Sequence, residues 1–125
     1  MNAGWKFTAD KPIYMQIIEH VRQKIVSGEY KCAQQLPTVR ELAAEAGVNP
    51  NTVQRAMSEL EETGLIHSNR TSGRFITDDE KLIAELKKEL ALSELDGFFG
   101  KMRQLGFDKE QIVLLLNDYK GNEYE

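Results

Sequence analysis

Between Thr38 and Pro50 the sequence places two helix starts and one helix stop, and no other feature restricts the fold as tightly. Thr38 stands three residues before Glu41, the T-x-x-E spacing in which a hydroxyl caps a backbone N–H and the glutamate reaches back. Pro37 ends the preceding segment. A helix is therefore expected from about Thr38, with Leu42, Ala43 and Ala46 as a narrow apolar stripe and Gly47 where a left-handed residue closes a helix. Asn49 then supplies a second cap, and Pro50 is a first-turn proline whose missing N–H costs nothing there. Two helices must meet across a tight turn.

In the second helix Val53, Ala56, Met57 and Leu60 follow the i, i+3, i+4, i+7 spacing and face inward. Asn51, Arg55 and Ser58 fall near the opposite face, with Thr52 and Gln54 on the flanks. Glu59, Glu61 and Glu62 crowd the far end, where they repel phosphate, so the N-terminal half is the part suited to approach a duplex. That polarity fits a recognition helix, whose first residues meet base edges in the major groove. After Gly64, Leu65–Ser68 and Arg74–Thr77 are short β-type runs joined by a polar loop, which predicts a hairpin with Arg70 and Arg74 at its tip. A basic hairpin beside a recognition helix makes a winged helix-turn-helix, whose wing reaches phosphate or the minor groove.

The resemblance then becomes specific. Pro12-Ile13-Tyr14-x-Gln16-Ile17, Gly28, Leu36-Pro37-Thr38-x-Arg40-Glu41-Leu42-Ala43, Asn51-Thr52-Val53-x-Arg55-Ala56, Leu60-Glu61-x-x-Gly64-Leu65-Ile66 and Gly73-x-Phe75 together resemble the N-terminal domain of GntR-family transcription regulators. The run Val48–Ala56, followed by so short a C-terminal region, is most similar to the YtrA-like subfamily. The resemblance implies a DNA contact by Arg40, whose planar guanidinium suits a guanine edge or a phosphate. It also implies contacts to phosphates or bases at Thr38, Asn49, Asn51, Thr52 and Gln54. Two departures stand out. Pro50 replaces an arginine that reads bases in many family members, and Thr71 occupies a wing position that is commonly Gly.

A net charge of -4 argues against nucleic acid if evenly spread, but it is not. Residues 1–77 hold 9 Lys+Arg against 8 Asp+Glu, a net of +1, and residues 78–125 hold 7 against 12, a net of -5. Arg40, Arg55 and the wing arginines Arg70 and Arg74 are expected to carry most of the attraction to DNA, and a surplus of one predicts that two copies are needed for useful, salt-sensitive affinity. Residues 1–77 are thus expected to form the winged helix-turn-helix and residues 78–125 a helical dimerisation region, in a mostly α (α+β) chain.

The first helix, about Pro12 to Ser27, shows Ile13, Ile17, Ile18, Val21 and Ile25 at helical spacing and is read as core, with Trp5 and Phe7 packing on it or on a partner subunit. From Asp79 a long amphipathic helix carries Leu82, Ile83, Leu86, Leu90, Leu95, Phe98, Phe99, Met102 and Leu105. Gly97 and Gly100 predict a kink or break, unless close helix approach requires them. Gly106 ends it, and Asp108-x-x-Gln111 caps a last helix containing the apolar run Ile112–Leu116. Five consecutive apolar residues cover every side of a helix. The expectation is a homodimer whose tails bury Leu86, Leu90, Phe98, Phe99, Met102, Ile112, Leu115 and Leu116 in a small bundle. The alternative is a hairpin that packs on its own winged-helix domain.

Catalysis finds no support. His20 and His67 have no second His or Cys at ligand spacing, and no G-x-S-x-G, Walker or Rossmann pattern occurs, so neither metal nor cofactor is expected. The lone Cys32 cannot form an intramolecular disulfide, and no apolar run approaches the roughly 18 residues of a membrane span. The functional expectation is a cytoplasmic, dimeric regulator, a repressor on an inverted-repeat operator, with no small-molecule effector identifiable from the residues. The competing reading is an interaction adaptor that uses the same fold without specific DNA binding.

Overall fold

The computed structural model describes residues 5–121 and divides the chain into two compact units, the first ending at Leu86 and the second starting at Lys87. The first is built from α1 (Ile13–Val26), α2 (Val39–Ala46), α3 (Pro50–Glu62), β1 (Ile66–Asn69) and β2 (Gly73–Ile76). The first two turns of α4 (Glu80–Gln104) belong to it as well, so this unit extends past the expected boundary at Thr77. The reason is local. A Cβ at Gly64 would stand 3.7 Å from Leu82, and Leu86 is 8% exposed, so both leucines are used by the winged-helix unit.

Helix α1 buries Ile17, Ile18, Val21 and Ile25, the i, i+4, i+8 seam expected of a core helix, and α3 answers with Val53, Ala56, Met57 and Leu60. Leu42 and Ala46 of α2 close the third side. Trp5 packs onto this body: it is buried and stacks on His20 with ring centroids 3.7 Å apart. Burial beneath that ring, then the neighbouring Lys24 charge, holds the His20 pKa below its ordinary value.

The hairpin pairs Ile66 with Ile76, His67 with Phe75, Ser68 with Arg74 and Asn69 with Gly73 in antiparallel register. Ile66 and Ile76 point into the core, while His67 and Phe75 stack on the other face with centroids 6.1 Å apart. Gly73 has φ +100, as the turn requires. A third extended segment, which sequence reading did not find, runs along β2. Leu36 N–H donates to the Arg74 carbonyl at 2.8 Å, Ile76 N–H to Gln34 at 2.8 Å and Ala33 N–H to Thr77 at 3.1 Å. Leu36 precedes Pro37, which disfavours helix at Leu36 and leaves this stretch free to pair.

In the second unit α4 continues without interruption through Gly97 and Gly100 to Gln104, so the expected break does not occur. A Cβ at either glycine would meet nothing within 4 Å. Twenty-five residues of continuous helical hydrogen bonding outweigh two glycines that cost about 1 kcal/mol each. Gly106, φ +96, ends the helix, with Phe107 N–H returning to the Met102 carbonyl at 3.0 Å. Asp108 and Gln111 then form a reciprocal capping box at the start of α5 (Lys109–Asp118).

Within these units the expected dimer residues separate into two groups. Leu86 and Ile112 are already buried inside a single chain, at 8% and 1% exposure. Leu90, Phe99 and Met102 are half-buried, and Phe98, Leu115 and Leu116 are exposed, together with Leu92, Leu95, Val113 and Leu114. Among the described residues no helix is long and apolar enough to cross a membrane, and no three His, Cys, Asp or Glu gather to hold a metal ion.

Because nothing crowds the site, Gly97→Ala is expected to stabilise the chain by about 1 kcal/mol, read as an upward shift of the denaturant midpoint. A loss of stability would instead show that another surface closes on that helix face.

Candidate nucleic-acid interface

The α2–α3 turn is fixed by caps at both helix starts and a left-handed residue between them. Thr38 Oγ1 accepts from Glu41 N–H at 3.1 Å while Glu41 Oε1 accepts from Thr38 N–H at 2.8 Å, the complete capping box. Gly47, φ +72, donates to the Ala43 carbonyl at 2.9 Å, and Val48 N–H reaches the same oxygen at 3.0 Å. Asn49 Oδ1 accepts from Asn51 N–H at 2.8 Å, and Thr52 N–H is satisfied by the Asn49 carbonyl at 3.0 Å. Pro50 has no N–H to offer. The first-turn amides of α3 are therefore already committed, and side chains must do any reading there.

Those side chains face out. Asn51, Gln54 and Arg55 are exposed and Thr52 is half-exposed, while Val53, Ala56 and Met57 are buried behind them. Gln54 Nε2 donates to Ser58 Oγ one turn on at 3.2 Å, which holds the amide along the helix surface. Arg40 is exposed at the second position of α2. Thr38 and Asn49 are exposed too, but both side chains are occupied as caps.

The four arginines of the expected interface differ in what holds them. Among the described residues Arg40 and Arg70 form no ion pair, Arg70 lying in the loop between the strands. Arg55 is 3.7 Å from Glu59 through Nε and lies over the Tyr14 ring, 3.7 Å from its centroid. Arg74 is not at the wing tip. It stands in β2 opposite Ser68, and its Nε lies 3.6 Å from Glu61, whose carboxylate also accepts a hydrogen bond from the Ser68 hydroxyl. A single carboxylate at the end of α3 thus ties both strands of the wing back to the helix. Sequence reading placed Glu61 only as a repulsive charge and gave Tyr14 no function at the site. Both join residues distant in sequence, which no local periodicity shows.

A capped helix pair with a polar outer face, flanked by a hairpin, is the winged helix-turn-helix, a DNA-binding module. Residues 13–76 match the bacterial regulatory proteins of the gntR family, and the chain belongs to that family. Among curated relatives it is 39% identical over 108 residues to the uncharacterised HTH-type transcriptional regulator YhcF of Bacillus subtilis, covering 86% of this chain and 89% of that one. It is 38% identical over 116 residues to the HTH-type transcriptional repressor YtrA of Bacillus subtilis, covering 91% and 77%. Among solved structures, a GntR family transcriptional regulator from Listeria monocytogenes superposes with a TM-score of 0.83 at 38% identity, over 91% of this chain and all of that one. The AraR DNA-binding domain in complex with operator ORX1 superposes with a TM-score of 0.56 at 27% identity, over 62% and 99%. The protein is a transcription regulator of this family and not an enzyme.

Glu61→Gln removes the charge that holds Arg74 and one that repels phosphate. It is expected to raise affinity for any duplex and to steepen the slope of log K against log salt by about 0.9 per subunit. An unchanged slope in a salt titration would show that Arg74 stays off the DNA.

Proposed function

We propose that this chain is a cytoplasmic transcriptional repressor that binds an inverted-repeat operator as a homodimer. The observation that carries the reading is the outer face of the α2–α3 pair: Asn51, Gln54 and Arg55 exposed on α3, and on α2 an exposed Arg40 with no ion pair among the described residues. Arg40 is assigned to a guanine edge or a phosphate, and Asn51 and Gln54 to adenine edges or phosphates. Thr38, Asn49 and Thr52 contribute backbone positioning, with Arg70 on the flanking phosphate or minor groove and Arg74 in reserve behind Glu61. Repression is supported by the likeness to the transcriptional repressor YtrA of Bacillus subtilis, and by the way a compact dimer on a promoter excludes polymerase.

Dimerisation is supported by charge and by exposed apolar surface. Two unpaired arginines per subunit offer little attraction to DNA, and a second copy doubles the number of phosphate contacts. The tail unit leaves Leu115 at 46% and Leu116 at 49% exposure, and Val113, Leu114, Leu95 and Phe98 are exposed as well, apolar surface that a second copy would cover. The part of residues 78–125 that follows Leu86 is accordingly assigned as the dimerisation region, with Leu90, Phe98, Phe99, Met102, Leu115 and Leu116 in the interface. A two-fold dimer places its two α3 helices in successive major grooves, and a palindromic operator follows from that symmetry.

The test combines sequence selection from random duplexes with sedimentation. The wild-type chain is expected to sediment as a dimer and to select a symmetric motif whose affinity falls with salt. Arg40→Ala abolishes selection and leaves the dimer intact. Leu115→Glu with Leu116→Glu yields monomers that bind DNA weakly. No salt-sensitive duplex binding by the wild type would overturn the regulator reading in favour of the adaptor, and a monomeric wild type would overturn the dimer.

A further inference from the structure

The Arg55 side chain is 61% exposed, and an exposed arginine normally samples many rotamers. Here it does not stand free. Its guanidinium carbon lies over the Tyr14 ring, 3.7 Å from the centroid, so the cation rests on an aromatic face supplied by the first turn of a different helix, α1. Glu59, four residues further along α3, sits 3.7 Å from Nε, too far to accept a hydrogen bond but close enough to bias the side chain. Stacking uses the π face of the guanidinium and leaves its in-plane N–H rim to donate outward. Arg55 also follows Asn51 by four residues, which places it on the same outer face one turn beyond the N-terminal end that meets the bases.

From this geometry we infer that Tyr14 is a positioning residue for DNA binding: it holds the Arg55 guanidinium in advance, rim outward, for a contact with the sugar-phosphate backbone flanking the bases that α3 reads. The inference rests on the DNA-binding reading given above and deepens it. Because Arg55 lies beyond the base-reading turn, the contact adds affinity without sequence preference. Because the ring does the holding, the phenol oxygen is dispensable and the aromatic face is not. Preorganisation of this kind lowers the ordering cost that an arginine otherwise meets on binding.

The test is a double-mutant cycle on the full chain, with operator affinity measured across a salt series and folding followed by thermal melting. Tyr14→Leu is expected to weaken operator binding about threefold per bound subunit, the size of an exposed cation–π contact. It should weaken non-cognate duplexes by the same factor, and flatten the slope of log K against log salt towards that of Arg55→Ala, about 0.9 per subunit. Tyr14→Phe restores the wild-type slope. Combined with Arg55→Ala, Tyr14→Leu has no further effect on binding. If the two substitutions instead add, or if folded Tyr14→Leu keeps wild-type affinity and slope, Tyr14 only staples α1 to α3 and the inference fails while the regulator reading stands. Should Tyr14→Leu not fold, Tyr14→Met supplies similar bulk without a π face and is read by the same criteria. Absence of operator binding by the wild type would overturn both.

Discussion

The structure depends on α3 burying one face completely. Val53, Ala56, Met57 and Leu60 are each at 1% exposure or less, packed between α1, α2 and β1, and a helix seated that firmly cannot rotate. Its outer face is therefore presented at a fixed angle, and Asn51, Gln54 and Arg55 inherit their direction from the packing on the far side. Losing a side chain such as Leu60 leaves a cavity worth roughly 2–5 kcal/mol, a large share of the stability of a domain this size. The same residues that hold the core thus aim the surface. Recognition and stability are carried by opposite sides of a single helix.

Acidic side chains then decide which cations are available. Glu61 holds Arg74 and the Ser68 hydroxyl, so the wing is anchored to the end of α3 at the expense of a free positive charge on β2. Glu59 and Tyr14 restrain Arg55 without burying it. Arg40 and Arg70 remain unrestrained by ion pairs among the described residues. An exposed pair such as Arg55 with Glu59 contributes little to stability, so its main effect is on the field that a duplex meets. A surface with few cations and nearby carboxylates attracts a duplex only weakly.

Much of the fold was legible because its boundaries are written in short-range chemistry. The capping box at Thr38 and Glu41, the left-handed Gly47, the Asn49 cap and Pro50 all occupy the positions read from sequence, since a cap involves residues two to four apart. The extended segment at residues 34–36, with the turn at Ala33 before it, was not legible, because its three hydrogen bonds go to residues some forty positions away. The continuity of α4 was misjudged for a different reason. Gly97 and Gly100 carry an intrinsic penalty that sequence shows, whereas the cooperative helix on both sides of them outweighs it.

What the sequence determined by itself was the order and polarity of the elements: which helices form, where they stop, which face of each is apolar, and a set of motifs specific enough to imply the family. What the tertiary structure decided was the state of individual side chains. Arg74 turned inward to Glu61, Arg55 lay down on Tyr14, and Leu86 and Ile112 were spent inside their own units rather than left for a partner. Caps and periodicity act between neighbours along the chain and are readable in one dimension. Ion pairs, stacking and burial join residues that only folding brings together, so no spacing in the sequence announces them.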